Sequence, residues 1–204
     1  RHMHQADDYG LDVLVGCMKS ALERAKEYEH QDSEQHAAEL QRKACLMLGA
    51  LSDGHADIAA QIVREGGIHA ILEAASWYRF HEHVSNWALW AIFILCYEHP
   101  ANKSVAVEQN CVPIVLQTMK NCPESLEVAR HGVAILFDIL RENEGPLEVW
   151  KIRNAALSAG LHDIVLRAIT DFSSSSDIVM MGRELLIGTD YRAERSQSHP
   201  PVSA

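Results

Sequence analysis

Twelve histidines, five cysteines and 28 carboxylates are the residues of this 204-residue chain that could do chemistry. Their spacing decides whether they can. The densest histidine cluster, His81-Glu82-His83, is not the H-E-x-x-H pattern that sets two imidazoles on one helical face. It reads as a solvated segment between two helices rather than a metal site. His55 and His99 recur at equivalent points of two similar segments, where a histidine at a helix C-terminus interacts favourably with the dipole. No phosphate-binding glycine loop, nucleophile elbow or kinase signature is present. Cys17, Cys45, Cys96, Cys111 and Cys122 form an odd set without a C-x-x-C pair, and most lie in apolar runs. They read as small buried hydrophobes in a reducing compartment, cytoplasmic with the nucleus as the other option. Catalytic residues, metal and cofactor are expected to be absent.

The balance of charges narrows the partners. Eighteen basic against 28 acidic side chains give a formal charge of −10, the wrong sign for nucleic acid or an anionic membrane. Aromatic residues are not interleaved with basic runs, as a nucleic-acid surface would need. No apolar stretch approaches membrane-spanning length and no signal peptide is visible. Arg1-His2-Met3 reads as a vector remnant before a start near Met3 or His4, which leaves room for a longer parent polypeptide.

With 48% apolar residues, eleven glycines and six prolines, the chain suits one all-α domain with a sizeable core. A small residue followed by an amphipathic run occurs at Gly10, Gly67, Cys111 and Gly160, spaced by 57, 44 and 49 residues. The middle value matches helical-repeat arrays of about 40–47 residues. First helices are expected at 57–64, 102–108 and 149–156, and none before Gly10, so the first repeat is incomplete. Extra residues within 23–39 read as lengthened helices around a polar loop near Gln31-Asp32-Ser33. Residues 142–146 and 173–176 read as loops. The domain is bounded at 4–191, and residues 192–204, without apolar periodicity, form a loose tail.

The most apolar stretch, residues 86–97, contains Ala88-Leu89-Trp90-Ala91-Ile92-Phe93-Ile94-Leu95. This run resembles the third helix of an armadillo repeat, roughly A-L-W-A-L-S-N-L. The resemblance implies a right-handed α-solenoid of about four repeats, with HEAT-like packing as the alternative. In that family a glycine turns the first helix into the second, so Cys111 implies a looser turn there, while Pro113 suits the first turn of the following helix.

The family's third helices line a concave groove. Positions −4, 0, +4 and +7 from the tryptophan then form one helical face. The second unit contributes Asn86, Trp90, Ile94 and Tyr97; the third contributes Arg130, Ala134, Asp138 and Arg141. The fourth gives Val179, Arg183, Ile187 and Asp190, and the first Arg42, Leu46, Ala50 and Asp53. The asparagine ladder of importin-alpha proteins is missing at +4. The arginines instead resemble the basic groove of beta-catenin, which takes acidic extended segments. The expected function is non-catalytic binding of a protein or peptide, acidic or amphipathic, through Asn86, Trp90, Tyr97, Arg130, Asp138, Arg141 and Arg183. The alternatives are assembly into a larger scaffold, including a homodimer through the N-terminal repeat, and an enzyme with a dispersed site.

Overall fold

A computed structural model describes the backbone of residues 4–27, 31–141 and 147–198. Every element among them is a helix. In order they are α1 (His4–Glu27), α2 (Gln31–Ser52), α3 (Ala56–Arg64), α4 (Gly67–Trp77), α5 (Glu82–Cys96), α6 (Pro100–Glu108), α7 (Cys111–Asn121), α8 (Leu126–Leu140), α9 (Leu147–Ser158), α10 (Leu161–Asp171) and α11 (Ser176–Ser198). No helix is long and apolar enough to cross a membrane among the described residues.

Packing follows chain order at an interval of three helices. The long helices α2, α5, α8 and α11 lie side by side, and α4, α7 and α10 form a second row. The central triplets, α3–α4–α5 and α6–α7–α8, have the same lengths of 9, 11 and 15 residues at an offset of 44. A short helix buries only one stripe, so each depends on its neighbours. A main core results, running from Leu11 through Ile71, Leu89 and Leu136 to Leu185, with Leu22, Ala38, Tyr78 and Val84 in a smaller cluster beside it.

The turns explain the repetition. Gly66, Asn110 and Gly160 each hold a left-handed conformation, and the next residue starts a helix of the second row. Asparagine is among the side chains that best tolerate this region, so no glycine is needed at 110. The turn before α7 is therefore built like the others, contrary to the looser turn expected from Cys111, which is fully buried as the first helical residue. Gly67 serves another need: a Cβ there would sit 2.8 Å from the carbonyl oxygen of Ile62.

Other expectations change with the structure. Gly10 is exposed inside α1 rather than marking a turn, because α1 and α2 are lengthened to 24 and 22 residues. Gln31-Asp32-Ser33 open α2 instead of forming a loop. His55 and His99 are N-cap residues of α3 and α6, not C-terminal ones, and neither side chain makes a capping hydrogen bond. Cys45, Cys96 and Cys111 are buried, but Cys17 is exposed; all five thiols are free. Burial pushes the Cys45 and Cys96 thiols up to about 12. Helix α11 continues past the expected boundary at residue 191; the expected loop at 142–146 and the tail's end at 199–204 lie outside the described residues.

Candidate functional site

The face expected to carry binding is half-open on α5. Asn86, Trp87, Trp90, Phe93 and Ile94 are partly exposed, and Tyr97 is 49% exposed. These positions repeat at helical spacing, while Ala88, Leu89, Ile92 and Leu95 face the core at 0% exposure. The helix is therefore not buried all round, although its composition reads that way. Its open side is an aromatic stripe. Trp87 and Trp90 meet edge to face at 5.4 Å between ring centroids, and Phe93 and Tyr97 lie 5.3 Å apart. Trp90 also lies across α2, where a Cβ on Gly49 would collide with its ring. Only a glycine at 49 lets the indole settle there.

On α8 the same face turns polar. Asn86 Oδ1 and His131 Nδ1 are 3.1 Å apart and link α5 to α8. Asn86 Oδ1 can only accept, so the ring presents Nδ1–H to it, and burial, the largest influence, holds the imidazole below its usual pKa. Arg130 donates through Nε to Asp177 Oδ2 at 2.8 Å and also bonds Glu127 and the Ser175 hydroxyl. Asp138 receives Lys103 Nζ at 2.9 Å, and both groups are largely buried. Arg42 is held bidentately by Glu39 on its own helix, at 2.7 Å for both bonds. That bond holds the Glu39 carboxyl down at about 2.

The expected basic row is thus largely used up internally. Arg130 and Arg42 have carboxylate partners, and Asp138 has its own cation. Arg141 is different: it is exposed, with its guanidinium 5.0 Å from the Phe137 ring. It borders a cavity of about 250 Å³ between α8 and α11, shared with Phe137, Leu140, Glu184 and Ile187. Arg183 does not continue the Trp90 row. The turn bonds Cys122 N to Thr118 O and Ser125 N to Cys122 O recur as Phe172 N to Ala168 O and Ser175 N to Phe172 O, an offset of 50. Glu184 therefore occupies the position of Trp90 and Ala134, and Met180 that of Arg130. Counting from Gly160 as a helix start, when it is the residue before one, displaced the register by one. The side chain of Asp190, expected on this face, lies outside the described residues.

Sequence reasoning did not bring out His131, Phe93 and Phe137, which stand at the ends or middle of the same stripe. The available signal is a spacing of three or four: Phe93 from Trp90 and Tyr97, His131 from Ala134, and Phe137 from Ala134 and Arg141. No group of three or more His, Cys, Asp or Glu side chains able to hold a metal occurs among the described residues. His81 and His83 are exposed, with rings 6.2 Å apart. No protein-family model, curated protein or solved structure matches this chain.

Proposed function

We propose that the chain is a non-catalytic protein-interaction module, a right-handed α-solenoid of four armadillo-like repeats with a two-helix first unit. It holds an extended amphipathic segment of a partner protein along α2, α5, α8 and α11. The observation that carries this reading is the stripe from Trp87 to Tyr97, aromatic area left half-open where every neighbouring core position is closed. Aromatic and arginine side chains in pockets dominate binding energy at interfaces. Here Tyr97 and Arg141 are the exposed pair, the first for an apolar anchor and the second for a carboxylate. Buried free thiols suit a cytosolic or nuclear home.

A peptide-display selection on the immobilised protein tests the reading. Selected sequences should pair an aromatic or aliphatic anchor with an acidic residue. Tyr97→Ala combined with Arg141→Glu should weaken them about tenfold or more without moving the melting temperature. Unchanged binding by a folded double variant would reject this face.

A second reading, assembly through the N-terminal end, has its own observation. Leu40, Met47 and Leu51 are 36–50% exposed on α2, although Val84, Ala91 and Leu95, 44 residues on, are fully buried. These are positions that a preceding unit covers inside a stack. Sedimentation of wild type against Met47→Lys decides it: a concentration-dependent dimer lost in the variant supports assembly, and a monomer throughout excludes it.

A further inference from the structure

The turn between α4 and α5 departs from its two counterparts in a way the fold does not require. All three turns share one backbone: Tyr78 N bonds Ala74 O at 2.9 Å and His81 N bonds Tyr78 O at 2.8 Å, with matching bonds at Cys122 and Ser125 and at Phe172 and Ser175. The α7–α8 turn fills this backbone with Asn121, Cys122, Glu124 and Ser125, and the α10–α11 turn with Asp171, Phe172, Ser174 and Ser175. The α4–α5 turn carries Trp77, Tyr78, Phe80 and His81 at the same places. Phe80 is 73% exposed and Trp77 43%. Ser125 caps α8 by accepting from Val128 N, whereas His81 makes no capping bond, so this turn forgoes a helix cap.

These side chains wall a cavity of about 430 Å³ whose other side is the start of α2, with Glu34 and Ala38. Glu34 is its only carboxylate lining residue among the described residues. Tyr78 is 5% exposed, and its hydroxyl is buried without a hydrogen-bond partner among the described residues. Two of the chain's own cations already lie over these rings. Lys26 Nζ stands 6.0 Å from the Trp77 ring, where Glu73 and Glu23 hold it, and the Arg79 guanidinium lies 5.1 Å from the Phe80 ring.

We propose that Trp77, Tyr78 and Phe80, with Glu34, form an aromatic cage for a methylated ammonium cation. The ring faces supply negative electrostatic potential and apolar contact for the methyl groups, and the carboxylate opposes the charge. An unmethylated ammonium is more strongly hydrated and gains less from entering such a site. A carboxylate or phosphate ligand would meet Glu34, and the chain's charge of −10 opposes it as well. The cage sits at the opposite end of α5 from Tyr97, so it does not depend on the peptide-binding face.

Tryptophan fluorescence and calorimetry on the full chain test the proposal. The probes are tetramethylammonium chloride, choline, a trimethyllysine peptide, its unmethylated form, and a peptide with an uncharged tert-butyl isostere of trimethyllysine. A methylated cation should bind saturably, about tenfold tighter than its uncharged isostere. Phe80→Ala and Trp77→Ala should each abolish binding, Glu34→Gln should weaken it several-fold, and Arg79→Ala should strengthen it. Phe80 is exposed enough that its variant stays folded, as circular dichroism will verify. Preference for the trimethyllysine peptide over choline assigns the cation to a modified protein; equal affinity assigns it to a free small molecule. Equal binding of the isostere, or no saturation by any methylated cation, overturns the cage.

Discussion

Residues 56–97 and 100–141 share one backbone at an offset of 44, yet their long helices present different chemistry. In the core the two agree. Val84, Leu89, Ile92 and Leu95 correspond to Val128, Val133, Leu136 and Ile139, all buried. On the open side they part: Trp87, Trp90 and Tyr97 correspond to His131, Ala134 and Arg141. Core packing tolerates little change in volume, while a half-open side chain can change type at little cost. Stability should therefore follow position within the unit, and recognition should follow which unit it is.

The sharpest way to break this comparison is to hollow both cores. Ile92→Ala and Leu136→Ala remove side chains at 0% exposure from equivalent sites. Each should cost about 3 kcal/mol in urea denaturation. A markedly smaller cost at one site would mean that the two units do not share the load equally. Next in size is Gly67→Cys, which installs the residue that the following unit carries at 111. The added Cβ meets the Ile62 carbonyl oxygen at 2.8 Å, so the unit should lose about 2 kcal/mol. A neutral outcome would show that the α3–α4 corner relaxes to the form of the α6–α7 corner.

A smaller effect separates two arginines, one inside α8 and one at its C-cap. Arg130→Ala removes bonds to Asp177 and Ser175 that tie α8 to α11, and should cost about 1 kcal/mol. Arg141→Ala, exposed over Phe137, should change stability by less than about 0.5 kcal/mol while weakening partner binding. Equal stability losses would make Arg141 a structural residue and remove it from the site.

Periodicity made the helical triplets legible because the buried stripe leaves its mark on every turn of helix. The expected first helices fall within one or two residues of α3, α6 and α9. Register was harder to read. Gly66 and Gly67 stand side by side, one providing a left-handed turn and the other a close approach, and a sequence does not separate those needs. Gly160 corresponds to Gly66 and not to Gly67, so a register counted from it reaches Arg183 one residue early. One arginine partner is hidden from sequence, since Asp177 lies 47 residues from Arg130 and only the packing of α8 on α11 joins them, whereas Glu39 and Glu127 stand three residues from Arg42 and Arg130. The aromatic turn at 77–81 is not legible as a site, because turn side chains follow no helical period and its difference shows only beside the two turns that share its backbone.

The smallest expected effect is a pH dependence at a position that the first of the two central units fills with tryptophan. His131 stands where the first unit has Trp87, and burial holds its folded-state pKa below the ordinary value of 6.5. Glu127 and Asp177 oppose that shift and Arg130 adds to it. In the unfolded chain the ring takes up a proton near pH 6.5, whereas the folded ring resists until a lower pH. Stability should therefore be level above about pH 7 and decline as pH falls from about 6.5 through the folded pKa. Asp177, whose carboxyl burial pushes up but the Ile178 N–H and Arg130 hold below its usual pKa, adds a separate loss only near and below about pH 4. The chain holds eleven other histidines, so the informative quantity is a difference between variants. His131→Gln preserves a donor to Asn86 and removes the titration. Its urea midpoint should fall less between about pH 7.5 and 5 than that of the wild type. If the two midpoints fall in parallel, His131 is hydrated, and the Asn86–His131 link is not the buried joint between α5 and α8.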